Sequence, residues 1–147
     1  MIIVTVVIIA IQFFRPKRNE NNQAAKADIS TVLFMPERVE SVLKQSCYDC
    51  HSNTTRYPWY TEIQPFGWWL AGHIGEGKEE LNFNEFGNYS RRRQRSKLNA
   101  VANSIEDGTM PLSSYTLIHR NAKLSDTEKK LIISWVHGIK DSLTVIK

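Results

Sequence analysis

The stretch CYDCH at residues 47–51 holds both cysteines of this 147-residue chain and one of its four histidines. On a helix, residues three and four apart share a face, so Cys47, Cys50 and His51 point the same way from a single turn. A disulfide between these thiols would close only a tiny loop and add little stability. A redox dithiol of the thioredoxin kind needs a βαβ setting, which the flanking sequence lacks. A structural zinc site needs two further ligands, usually a second close pair, and His73, His119 and His137 stand singly. The C-x-x-C-H order suits covalent haem attachment instead. Two thiols add to two vinyl groups as thioethers, and the adjoining imidazole becomes an axial ligand. The expected cofactor is therefore one haem c, bound through Cys47 and Cys50 with His51 on the iron.

A six-coordinate iron needs a second ligand from elsewhere, and a soft thioether suits it. Met1 lies in the apolar start and Met35 just ahead of the attachment helix, whereas Met110 sits in the loop DGTMPLSSY (107–115). Met110 is the expected distal ligand, with His119 and His73 as rivals; the plainer role for Met110 is to fill a gap in the core. Without ligation, His73 and His119 could each serve a haem propionate, and His137 would sit favourably at a helix carboxyl end. Trp59, Phe66, Trp68, Trp69, Leu98, Val101, Tyr115 and Trp135 are candidates to line a dry pocket. A carbonyl near Pro58 or Pro65 is expected to hold the other ring nitrogen of His51.

No stretch alternates with period two long enough to make a strand, so the predicted fold is all-α. It is a cytochrome c-like bundle of four to five short helices, with long loops wrapped around the haem, preceded by an apolar N-terminal helix. The spacing of Val39, Val42, Leu43 and Ser46 predicts a helix over 36–50 that delivers CYDCH at its end. A second is expected over 66–74, stopped by Gly75 and Gly77, and a third over 91–107, capped by Ser90 and ended at Gly108. The last starts at the capping box Ser125-Asp126-Thr127-Glu128 and stops at Gly138. Residues 79–89 fit no pattern cleanly.

The amino terminus breaks the globular pattern. MIIVTVVIIAIQFF (1–14) is followed at once by RPKR (15–18). At about 1.5 Å per residue this stretch reaches only ~21 Å, against a ~30 Å hydrocarbon core. A cleaved signal peptide lacks its small-x-small site here, and a core helix would not be isolated by a polar linker. An uncleaved membrane anchor over 1–18 is favoured, completed by a start upstream, although Arg15, Lys17 and Arg18 then lie against the positive-inside tendency. Residues 19–28 are expected to be a polar tether and 29–147 the haem domain. The formal net charge is only +4, which by itself does not separate a nucleic-acid binder from a protein that docks on an acidic partner. SRRRQRSK (90–97) could steer an acidic redox partner or be a solvated helix face.

The stretches CYDCHSNTTRYPWYTEIQPFGWW (47–69), LNFNEF (81–86), MPLSSYTLIH (110–119) and LSDTEKKLIISW (124–135) resemble the small bacterial haem-binding domain proteins among the c-type cytochromes. The likeness covers about residues 30–140. It implies that Cys47 and Cys50 bind haem covalently, that His51 is the proximal ligand, and that Met110 matches the family's Met-Pro motif. Leu112 stands where a second proline often follows, and LNFNEF departs from the commoner Ser-Glu-Trp ending. The resemblance also implies an N-terminal anchor in the cytoplasmic membrane, with the haem domain facing the periplasm. Electron transfer to redox partner proteins is the expected function, and the alternative is a haem enzyme or sensor with an open or labile distal site. Nucleic-acid binding is not expected of an exported haem protein. Oligomeric state is not readable from the sequence.

Overall fold

The computed structural model describes residues 1–21 and 26–145, with side chains to residue 140. Residues 22–25 of the polar segment, and 146–147, lie outside the described residues. Eight α-helices and three 3₁₀ turns make up the architecture among the described residues, with one isolated β-bridge between Glu20 and Thr54. The all-α expectation is met, although the helices outnumber the four to five expected. The helices are α1 (Ile2–Ile11), α2 (Ile29–Val32), α3 (Glu37–Ser46), α4 (Tyr48–His51), α5 (Phe66–Glu80), α6 (Arg91–Glu106), α7 (Ser113–Ile118) and α8 (Asp126–Val145).

The core lies where α6 packs on α8, with α3 against both α8 and α4. On α6 the buried positions are Gln94, Leu98, Ala102 and Ile105, a three-to-four spacing that puts all of them on one face. Ile132, Trp135 and Val136 answer from α8, and Val39, Val42 and Leu43 from α3. Phe83 and Phe86, in a 3₁₀ turn between α5 and α6, close this core from below; Phe86 is only 1% exposed. Burying one such phenylalanine stabilises the fold by roughly 1.5–3 kcal/mol.

Several boundaries differ from expectation, and glycine explains two of them. Helix α5 runs through Gly75 and Gly77 to Glu80, and α8 runs through Gly138 to Val145. An interior glycine costs about 1 kcal/mol but does not by itself end a helix. Termination follows when the backbone turns left-handed, and Gly108, with φ of +69°, is where that happens among the described residues. His137 consequently sits within α8 rather than at its end. The single helix expected over 36–50 is broken at Cys47, whose φ of −126° separates α3 from the one-turn α4. Residues 113–115, the end of the segment expected as loop, are the first turn of α7. Ser90 accepts from Arg93 N–H at 3.3 Å, and Ser125 and Glu128 exchange the two bonds of the capping box at 3.3 and 2.8 Å, as the sequence predicts.

The apolar N-terminal helix forms, but as ten residues, about 15 Å at the usual rise. No helix among the described residues is long and apolar enough to cross a membrane, so the expected transmembrane helix is corrected to a short apolar one. Pro16 disfavours helical backbone at Arg15, and the Gln12 side chain turns to pair with Gln64. The described ends of the polar segment are packed on the helical body. Asn19 donates from its backbone to Tyr57 Oη at 2.7 Å and from its side chain to the Ser52 carbonyl at 2.9 Å. Asp28 caps α2 through Ser30 N–H at 2.9 Å and accepts from Asn84 at 2.6 Å and Tyr48 Oη at 3.2 Å.

Asp28 therefore joins α2, the attachment helix and the Phe83–Asn88 turn. Replacing it with alanine, Asp28→Ala, removes a cap and leaves Tyr48 and Asn84 short of an acceptor. A loss of about 2–3 kcal/mol is expected, read as a lower urea midpoint at unchanged slope.

Candidate haem site

Cys47 sits at the junction of α3 and α4, and its carbonyl accepts from both Cys50 N–H (3.2 Å) and His51 N–H (3.0 Å). One turn thus carries all three attachment residues. The thiols are free and partly buried. Burial pushes Cys47 up to about 12, with Cys50 adding to it, and Cys50 up to about 11, with Asp49 adding to it. Both are therefore protonated at neutral pH.

The imidazole of His51 is oriented by two backbone acceptors. Its Nδ1 lies 2.8 Å from the Gly77 carbonyl oxygen and 3.0 Å from that of Leu81. Carbonyls only accept, so Nδ1 carries a proton, and Nε2 is the ring nitrogen left to face a metal. These acceptors replace the carbonyl expected near Pro58 or Pro65. They come from the end of α5, and its extension past Gly77 is what brings them to the ring. Phe83 packs against the same imidazole edge-on, with ring centroids 6.2 Å apart.

Gly77 also permits the close approach of α5 to α4. A Cβ built there would lie 2.8 Å from the carbonyl oxygen of Cys50, whereas one at Gly75 would meet nothing within 4 Å.

Two adjoining cavities of about 250 and 290 Å³ open beside this turn and share Ser46, Cys47, His51, Glu80, Met110 and Pro111. Together they reach the size class of small-molecule sites, roughly 300–1,000 Å³. One is walled by Leu81, Phe83, Ala100, Val101 and Ile105, and the other adds Cys50, His73, Gly77, Leu112 and Tyr115. Met110, 36% exposed, belongs to both. His73 lines the second, edge-on to Trp69 at 4.6 Å. His119 lines neither. Its ring stacks on Tyr115 at 4.3 Å, and its Nε2 is 2.6 Å from the Tyr60 hydroxyl.

Of the aromatic and aliphatic residues expected to line a pocket, Val101 and Tyr115 do so. Leu98 and Trp135 belong to the main core, and Trp59, Phe66, Trp68 and Trp69 are exposed. The sequence pattern of an aromatic run does not distinguish a pocket wall from a surface.

A residue missed from sequence lies inside the motif itself. Asp49 is buried and accepts from Arg56 Nε at 3.1 Å and from the Tyr115 hydroxyl at 2.6 Å. Burial, then the bond to Asp49, pushes Tyr115 well above its ordinary value. This bond links the attachment turn to the segment that carries Met110. An acidic residue between the two cysteines, with an arginine shortly after, was the available signal.

The donor set fits haem: an imidazole whose Nδ1 is held by backbone carbonyls, two thiols on the same turn, and apolar walls. A family model for the haem-binding domain matches residues 6–138. The chain belongs to the haem-binding domain family. No curated protein and no solved structure matches it. Family membership supports a haem cofactor.

The Gly77→Ala substitution is expected to destabilise by about 1–2 kcal/mol, because its new methyl meets backbone. Gly75→Ala should stabilise by up to about 1 kcal/mol through helix propensity. Thermal unfolding of the pair checks both signs. Burial, with Arg56 adding to it, lowers the pKa of His119 from its ordinary value. The unfolded chain then takes the proton first, so this contribution is full above about pH 6.5 and is lost as the pH falls through the lowered folded value. Denaturation at about pH 7.5 and about pH 5 should show a smaller loss of stability in His119→Gln than in the native chain.

Proposed function

We propose that this member of the haem-binding domain family is a c-type cytochrome that transfers electrons. One haem is bound covalently through Cys47 and Cys50, with His51 and Met110 as axial ligands. The observation that carries this is the donation of His51 Nδ1–H to the Gly77 and Leu81 carbonyls, on the same turn as both thiols. It leaves Nε2 ready to bind iron. The presence of Met110 in both adjoining cavities supports its role as the second ligand. When bound, the haem supplies one-electron chemistry between ferrous and ferric iron. The chain holds the group, orients the imidazole and surrounds it with apolar side chains.

The docking partner is a redox protein with an acidic face. Arg91, Arg92, Arg93 and Arg95 are exposed on α6, and Lys97 on the same helix lines the cavity while pairing with Glu80 at 3.1 Å. A cationic face beside the redox centre would speed encounter at low salt. The chain acts at the cytoplasmic membrane, held by its apolar amino terminus, with the haem domain on the periplasmic side.

Partial exposure of Met110 favours one second reading, a sensor or enzyme whose distal ligand is displaced by a small molecule. Protein made in a host competent for cytochrome maturation decides between them. Denatured, acid-acetone-extracted chain should keep its red colour and weigh more than the polypeptide by one haem; colourless chain of polypeptide mass refutes covalent attachment. The ferric spectrum should be low-spin with the charge-transfer band of methionine–iron coordination, and Met110→Ala should abolish that band. An unchanged spectrum would move the ligand to His73 or His119, and ready carbon monoxide binding by the native ferrous form would favour the sensor.

A further inference from the structure

The end of α1 and the segment that meets it expose large apolar side chains to solvent. None of the ten residues of α1 is buried, and Phe13 and Phe14 beyond it are 82% and 69% exposed. Across the contact, Ile63, Phe66 and Trp68 are 44%, 55% and 40% exposed. Exposed apolar surface on this scale marks an interaction site.

The two parts are locked in register by polar bonds. Gln12 Nε2 donates to the Gln64 carbonyl at 3.2 Å, and the Gln64 N–H donates back to Gln12 Oε1 at 2.9 Å. The Trp68 indole N–H donates to the Phe14 carbonyl at 2.6 Å. Arg15 and Arg18 both pair with Glu62. Ile63, Phe66 and Trp68 therefore belong to the segment that lies beside the place where the apolar helix ends and the cationic Arg15–Arg18 segment begins. That succession of aliphatic helix, aromatic ring and positive charge is the order in which a bilayer presents hydrocarbon, headgroup boundary and anionic phosphate. A protein partner in water would not call for a helix apolar on every side.

We propose that Phe13, Phe14, Ile63, Phe66 and Trp68 form a collar seated in the headgroup boundary of an anionic bilayer. The haem domain then lies against the membrane in one orientation. Free swinging is opposed on the protein side as well, because Asn19, directly after the cationic segment, is bonded to Tyr57, Ser52 and Lys78. This inference rests on the membrane attachment proposed above and adds the surface that contacts lipid.

The test uses the full haem-loaded chain in vesicles of phosphatidylcholine with phosphatidylglycerol. Nitroxide labels go on Ile63→Cys or Phe66→Cys, with Arg92→Cys on the exposed part of α6 as reference; all three native residues are exposed, so folding is preserved. Oxygen accessibility relative to a water-soluble nickel chelate should be severalfold higher at 63 and 66 than at 92. Equal ratios at all three sites, in protein that still floats with the vesicles, overturn the collar and leave the anchor standing. Failure to float overturns both. Dipolar broadening between labels at 63 or 66 in vesicle-free buffer, with no rise in oxygen access on vesicles, assigns the surface to a second copy of the chain and likewise overturns the collar.

Discussion

The hydrogen bonds from His51 Nδ1 to the carbonyls of Gly77 and Leu81 set the geometry on which the site depends. Two acceptors from one helix end leave the ring no other tautomer in this position. The arrangement requires α5 to continue past two glycines and to approach α4 closely enough that no side chain fits at residue 77. Remove either condition and the imidazole loses its partners.

A second set of polar contacts joins that turn to the remainder of the chain. Asp49 is held by Arg56 and Tyr115, and Asp28 by Ser30, Tyr48 and Asn84. A buried carboxylate is costly unless its oxygens are satisfied, and these are. Among the described residues no buried side-chain polar atom lacks a partner. Because Tyr115 lies in the first turn of α7, just after the Met110–Pro111 segment, the Asp49 bond ties the attachment turn and the far side of the cavity to a common frame.

Much of this was legible from sequence where the signal is local. Ser90, the Ser125–Glu128 box and Gly108 act through neighbours within four residues, and all three behave as their patterns predict. The grouping of Cys47, Cys50 and His51 is equally local. Failures came where local and distant forces compete. Gly75, Gly77 and Gly138 look like stops, yet helix continues because none of them turns left-handed and an interior glycine only weakens a helix. Trp59, Phe66, Trp68 and Trp69 look like a pocket lining, yet they face outward. His119, chemically able to ligate, is instead engaged with Tyr60 and Tyr115.

By itself the sequence determined the helical class, the caps and the face shared by two thiols and an imidazole. Those follow from 3.6-residue periodicity and from bonds that close within a turn. Only the tertiary structure decided which carbonyls fix the His51 ring, that Asp49 bonds Tyr115 across the fold, and that Met110 rather than His119 borders the cavity. Each of these joins residues at least 26 positions apart, so it depends on how helices pack, and periodicity carries no information about that.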